Sequence, residues 1–354
     1  MESESPNLPD EIIFNILSRL SVQLLCRFKS VSKPWLSMIT SSHFAKAQLN
    51  QSTLDSNTHK IILTSRAPFS AYSLDYKAPA PDQTLAEIET PCKSAGEILG
   101  SCNGILLLRF GAELCLWNPT TRMCRKFSQP EYRDGILMYG LGYNSISDDF
   151  VVVRVFRPVP LVDDAPSTVH VFSAKLGSWK RIGDFGYEIF HDGPGATVRG
   201  APHWVVSRSR DGSSLATSAS EVIVWFDAFE EKFKELPLPT NVGRDNFIEL
   251  RDLGGWLCVV QKDELCADAW LMKEYGVKES WTTQLSVPYG FGELCMPLLS
   301  SGEYSVMVVN WEILRIYDFK NLWRKDIVIP HRCKFDATLF VESLFSPHGG
   351  NGTT

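Results

Sequence analysis

The spacing of apolar positions changes near residue 60, and that change divides the chain. In residues 8 to 20, LPDEIIFNILSRL, the apolar positions are Leu8, Ile12, Ile13, Ile16, Leu17 and Leu20, one broad stripe of a helix. Pro9 suits the first helical position, where its missing N–H costs nothing, and Asp10 and Glu11 favour the positive end of the helix dipole. Leu24, Leu25, Phe28 and Val31 predict a second helix. Ser32 can cap a third, with Pro34 near its start and Trp35, Leu36 and Ile39 on its apolar side. From residue 60 onward this periodicity nearly disappears. Short apolar, β-branched and aromatic runs alternate with Gly, Pro, Asn and Asp, the pattern of an all-β region.

One unit recurs in that region: an apolar strand, a turn residue, a few polar residues, and an aromatic that opens the next strand. It is seen in AYSLDYK (71), ELCLWNPTTRMCRKF (113), VHVFSAKLGSWKRI (169), VIVWFDAFEEKFKEL (222), ADAWLMKEYGVKESW (267) and LRIYDFKNLWRKDI (314). With Asp75, Asn118, Ser173, Asp227, Lys273 and Asp318 as equivalent points, the gaps are 43, 55, 54, 46 and 45. A period near 50 with strand–turn–strand content is that of a propeller blade, and its length is close to that of a kelch repeat. A lone blade leaves both faces of its sheet bare, whereas blades stacked around an axis cover them and leave few free edges. Six units predict six blades, with five or seven also compatible because the first unit is weakly marked. HKIILTS (59 to 65) and TLFVESLFSP (338 to 347) would share the closing blade.

The helical unit has about 40 residues, near the lower limit for folding alone. Each buried Leu, Ile or Phe contributes about 1.5–3 kcal/mol, a gain lost if half the stripe faces water. Either the unit docks on its own chain or a second protein covers it, and composition does not choose. Leu8-Pro9, Ile16-Leu17, Arg19-Leu20 and LLCRFKSVSKPW (24 to 35) resemble the F-box, the module by which substrate receptors join SCF ubiquitin ligases. The departures are Ser21, where many plant-type F-boxes have Pro, and Pro34 in place of a common Ser; neither removes an apolar contact. The resemblance implies that the stripe docks into a Skp-family adaptor, through Leu8, Pro9, Ile12, Ile16, Leu20, Leu25, Phe28, Val31 and Trp35.

The β region resembles the plant F-box associated interaction domain. The matching pieces run in family order: GSCNGILLL (100), LWNPTTR (116), GLGYNSISDDFVVVRV (140), VFSAKLGSWKRI (171), GAPHW (200), FDAFEEKFKELPLP (226), LGGWLCVV (253), WLMKEYGVKESWT (270) and LFVESLFSP (339). The twin-Gly kelch signature is absent, so the domain is kelch-like by spacing only. The expected architecture is a small all-α F-box of three helices at 6–48, a linker at 49–59, an all-β propeller at 60–347 for substrate recognition, and a flexible tail at 348–354.

Composition narrows the function further. The chain has 354 residues, 44% of them hydrophobic and 21% charged, ordinary for a folded protein. A net charge of −6 argues against a sequence-independent nucleic-acid binder. No apolar run approaches a membrane span, and MESESPN is not a signal peptide. The nine cysteines lack CxxC pairs, an odd count without a framework, and read as reduced thiols of the cytosol or nucleus.

No constellation of catalytic residues outweighs a structural reading. GxSxG, P-loop and HExxH motifs are missing. GLGYNS (140 to 145) matches half a dinucleotide fingerprint, but Tyr143 and the all-β context oppose it. Asp148-Asp149 reads as a solvated turn rather than an acid–base pair, and His203-Trp204 as packed strand residues. The other histidines lack metal spacing, so no metal, cofactor or catalytic residue is assigned. The insertions at 157–168 and 210–220 read as tolerated loop length or as a target-binding rim.

The expected function is therefore a non-catalytic SCF substrate receptor. Its adaptor connects to cullin and RING protein, and its propeller binds a protein target. An adaptor-bound scaffold or inhibitor, and a propeller enzyme or small-molecule receptor, are the alternatives.

Overall fold

The computed structural model describes residues 8–349 except 55–58, 67–68, 78–84, 95, 131–134, 159–165, 190–192, 209–220, 241, 243–246, 263–265, 289–294, 301–303, 310–312, 319–322 and 329–334. Four helices come first: α1 (Asp10–Leu17), α2 (Val22–Phe28), α3 (Lys33–Thr40) and α4 (Ser42–Leu54). Pro9 stands one place earlier than expected, as the N-cap with ψ 144°, because an extended residue there still lets its carbonyl accept from Ile12 and Ile13. The Ser21 hydroxyl accepts from the Leu24 N–H at 3.4 Å, so the departure from Pro supplies a cap. Ser32 caps α3 through the Trp35 N–H at 3.3 Å.

The fourth helix corrects both the three-helix count and the linker at 49–59. Its buried face mixes Phe44, Ala45 and Leu49 with Gln48 and Ser52, and the Gln48 amide donates to the Ser52 hydroxyl at 2.7 Å. A buried polar pair breaks the apolar stripe on which the sequence reading relied.

The described strands pair into six sheets. The first joins Phe335–Val341 to His59–Arg66, Phe69–Leu74 and Ala86–Ile88, so strands from both ends of the β region close it. The second contains Glu97–Cys102, Ile105–Phe110, Glu113–Trp117 and Cys124–Ser128, and the third Gly135–Asn144, Asp149–Pro158, Ser167–Ser173 and Ser178–Phe185. Gly193–Pro194 joins the third in parallel with Gly135–Asn144. The fourth has Tyr187–Glu188, Ala201–Arg208, Glu221–Asp227 and Lys232–Leu236, with Ala196–Val198 also on Ala201–Arg208. The fifth runs Phe247–Leu253, Trp256–Lys262, Cys266–Met272 and Trp281–Pro288, and the sixth Cys295–Ser300, Tyr304–Val309, Ile313–Asp318 and Trp323–Val328. Inner strands touch from each sheet to the next, and Cys295–Ser300 returns to Phe335–Val341, closing a ring. This is a β-propeller. All six repeat marks, Asp75 to Asp318, stand at or just after the end of a third strand.

Core layers lie between sheets. Ile105 and Leu107 enter the layer toward the third sheet, while Leu106 and Leu108 enter the layer toward the first. The run ILLL is continuously apolar because a central strand is covered on both faces, with period two distributing its side chains. GLGYNS also belongs to this packing. A Cβ at Gly140 would meet Pro202 and Trp204 side-chain atoms at 2.4 Å, so the glycine allows close approach of neighbouring sheets.

Candidate partner-binding surface

The helical module has two unlike faces. Leu17, Val22, Leu25, Ile39, Phe44, Ala45 and Leu49 are buried in one core that continues into the second and third sheets through Leu107, Leu116, Tyr139 and Phe150. Phe14 packs edge-on against Phe44 at 5.1 Å. On the other face Leu8, Ile12, Ile16 and Val31 are 56, 45, 51 and 58% exposed. Pro9 is exposed beside them, while Leu20, Phe28 and Trp35 are half-buried and join the edge of the core. Phe28 and Trp35 pack edge to face at 5.6 Å.

Leu25 is the exception among the expected contact residues. It is 0% exposed and seals the module's interior, so it offers nothing to a partner. Its neighbour Leu24 faces outward, as does Leu36 of α3, and sequence reasoning assigned neither to the surface. The signal lay in the Ser21 cap, which sets the phase of α2 and turns two successive leucines about 100° apart. One face of the helical unit therefore docks on its own chain, while Leu8, Ile12, Ile16 and Val31 remain exposed.

The docking side is polar at its rim. The Lys46 ammonium lies 3.2 Å from the Asp148 carboxylate, 3.4 Å from the Ser145 carbonyl and 5.7 Å from the centre of the Tyr143 ring. Tyr143 donates its hydroxyl proton to Asp148. Burial opposes ionisation of Asp148, but hydrogen bonds from Tyr143, Ser42 and Lys46 outweigh it and hold its carboxyl below the usual range. Asp149 is buried, accepts from the Ser173 hydroxyl, and takes the Lys175 N–H at 2.8 Å. The pair expected as a solvated turn is a structural joint.

His348, the first residue of the expected flexible tail, is bonded to the propeller, as are residues just before the tail. The Asn118 amide donates to the carbonyls of Ser343 at 3.0 Å and Phe345 at 2.9 Å, and Arg125 donates to His348 at 3.4 Å. Residues 350–354 lie outside the described residues, as do most of the insertions at 157–168 and 210–220.

His203 is fully buried as expected, with Nε2 2.6 Å from the Tyr275 hydroxyl and Nδ1 2.8 Å from the Ala201 carbonyl. Burial lowers its pKa to about 4. The folded chain then binds fewer protons than the unfolded chain between that value and about 6.5, so stability is present above this window and falls as pH drops through it. Thermal unfolding at pH 7 and pH 5 checks this: the midpoint should fall on acidification, and less in His203→Gln. Burial also pushes the Cys102, Cys115 and Cys258 thiols up to about 12, the behaviour of packed rather than nucleophilic cysteines. No group of three or more metal-ligating side chains occurs among the described residues.

The fold is a propeller bearing a small helical module with one sealed apolar face and several exposed apolar side chains. The comparisons specify the family. A model of the F-box domain matches residues 5–46, and a model of the F-box associated beta propeller domain matches residues 89–310. The Arabidopsis thaliana F-box protein CPR1 is 32% identical over 310 residues, 79% of this chain and 73% of that protein. The Arabidopsis F-box/kelch-repeat protein At3g23880 is 28% identical over 97% of this chain and 96% of its own length. Among solved structures, the propeller domain of the Trilobed protease from Pyrococcus furiosus aligns with a TM-score of 0.40 and 11% identity, over 77% of this chain and 81% of that one. The chain belongs to the F-box proteins that carry an F-box associated beta propeller domain.

Proposed function

We propose that this chain is the substrate-recognition subunit of an SCF-type ubiquitin ligase, acting in the cytosol or nucleus. Its F-box takes a Skp-family adaptor, and through it cullin and RING protein. The propeller, with its six sheets as blades, recruits a protein target for ubiquitination and proteasomal degradation. It forms no covalent intermediate; the rate gain arises from holding target lysines near a ubiquitin thioester, since fixed geometry replaces a bimolecular encounter.

The observation that carries this reading is the open apolar face of Leu8, Ile12, Ile16 and Val31 on a module whose opposite face is already sealed. Four such exposed side chains on one small module have the composition of an interface core. The adaptor contact set is accordingly Leu8, Pro9, Ile12, Ile16 and Val31, with Leu20, Phe28 and Trp35 at its base and Leu24 and Leu36 beside them.

The test is affinity capture with the proteasome blocked, comparing the intact chain with Ile12→Glu/Ile16→Lys. Removing residues 1–48 is a poorer control, because it cuts α4 and bares the shared core. Adaptor and cullin should be lost from the variant while the target stays, and the target's half-life should lengthen in cells carrying only the variant. A captured protein whose half-life is unchanged points instead to a non-degradative scaffold.

A further inference from the structure

We infer that Lys46, Asp148 and Tyr143 are positioning residues that fix the angle between the F-box and the propeller and so determine which lysines are modified. The inference rests on the receptor reading above. The seat between the two modules has an apolar part, built from Ala45, Phe150, Leu344 and Phe345, beside a polar one that includes Ser42, Tyr143 and Asp148. Apolar contact is non-directional and leaves a small helical module able to rock on its seat. Hydrogen bonds and ion pairs are directional, and here they converge on one turn of the propeller.

That turn is built to receive them. Asn144 accepts from the Ile146 and Ser147 N–H groups at 3.0 and 3.1 Å, fixing the turn's shape. Its amide also donates to the Ala228 carbonyl at 3.1 Å, in the turn just after Glu221–Asp227, anchoring one turn to the turn of the neighbouring sheet. Asp148 has φ of 56°, a left-handed backbone that Asp tolerates, and its carboxylate takes Tyr143, Ser42 and Lys46 together. Lys46 additionally reaches the Ser145 carbonyl, so the ammonium bridges two points of the turn from one point of α4.

The same seat includes residues from the last stretch of chain. Phe345 packs on Tyr143 at 5.3 Å and on Phe150 at 5.6 Å, held by the Asn118 amide. One segment thus touches the second sheet, the third sheet and the F-box seat. The ion pair and the Phe345 contacts join α4 and the propeller and are made by residues other than Leu8, Ile12, Ile16 and Val31, so loosening them should leave the adaptor surface intact. A small rotation at this joint becomes a large displacement across the propeller, and the local concentration of a given lysine at the thioester depends steeply on such displacement.

The test uses the full chain with spin labels introduced as non-canonical residues at the exposed positions Asn15 and Lys232. Lys46→Met removes the charge and keeps most of the stem, Tyr143→Phe removes the hydroxyl, and Lys46→Arg restores a cation. The width of the label-to-label distance distribution should at least double in Lys46→Met and in Tyr143→Phe, and return toward the parent in Lys46→Arg. In a ligase reconstituted with adaptor, cullin, RING protein and charged E2, mass spectrometry should find modification of the propeller's own lysines spread over more sites in Lys46→Met. Adaptor binding should stay unchanged, and Lys46→Arg should restore the narrow pattern. Distance distributions identical to the parent in both loosening variants, or a broadened distribution with an unchanged lysine pattern, overturn the proposal. If the parent chain binds no adaptor the receptor reading fails, while the distances measured on the chain alone still decide whether the joint is rigid.

Discussion

Ile12→Glu combined with Ile16→Lys should weaken adaptor binding by roughly a thousandfold while leaving the thermal unfolding of the chain unchanged. The two residues are 45 and 51% exposed, one turn apart on α1, so their removal takes little from the protein's own core. Central residues of a desolvated interface each cost about 2 kcal/mol or more when lost, and two together reach the thousandfold range. The substitutions are chosen to favour the helix. Glu sits in the first turn, where the dipole welcomes an anion, and Lys four residues later pairs with it. Titration of purified adaptor against both forms, by calorimetry or interferometry, is the measurement. Binding retained within tenfold, with α1 still folded, would remove the adaptor from this face. The matched control is Leu25→Ala, which should destabilise the helical module by about 2–5 kcal/mol through the cavity it leaves, because Leu25 is wholly buried.

The second large effect is expected at Asn118. Its side chain is buried, its amide satisfies the Ser343 and Phe345 carbonyls, and its carbonyl oxygen accepts from the Thr120 and Thr121 N–H groups at 2.9 and 3.2 Å. Truncation to Ala leaves two buried carbonyls and two turn N–H groups without that partner. At about 1–3 kcal/mol for each buried group left unsatisfied, and less for those that water reaches, the loss is about 4 kcal/mol. For a chain of 354 residues that corresponds to a fall of about 5 °C in the unfolding midpoint. Asn118→Asp should be nearly as costly, since a carboxylate accepts at the turn but cannot donate to the two carbonyls. Calorimetry of the three forms checks the order. Equal midpoints for parent and Asn118→Ala would show that the C-terminal segment is held without this residue.

Asn118 also illustrates how much of the molecule was legible beforehand. As one of six turn marks spaced 43 to 55 residues apart, it announced the repeat, and all six marks lie at the end of a third strand. That signal is local, because a hairpin needs an Asn, Asp or Ser at the place where the backbone turns. Its second role, fastening residues more than 200 positions away, left no trace in spacing. Asp148 is a similar case. Its neighbours NSIS and FVVVRV read correctly as a turn before a strand, but only the folded chain brings Lys46 of α4 to its carboxylate. Long-range polar contacts are specified by where two elements meet, and a single sequence holds no record of that meeting.

The helical segment shows the same division at finer grain. Apolar spacing located the stripe, the start of the first helix at Pro9 to within one place, and the cap at Ser32, since helix phase and termination depend on residues within one turn; the cap at Ser21 came from the structure. It missed α4, whose buried face includes Gln48 and Ser52 bonded to each other. It also placed Leu25 on the wrong side, because the stripe is wider than either surface it serves.

By itself, then, the sequence determined a helical unit followed by a repeating β region of blade-length period, because both patterns are written in neighbours a few residues apart. Only the tertiary structure decided which half of the stripe is sealed on the propeller and which stays open, and that Leu344 and Phe345 help form the seat. Burial depends on what lies opposite a side chain, and what lies opposite here comes from segments far away in the chain, from Leu99 to Phe345.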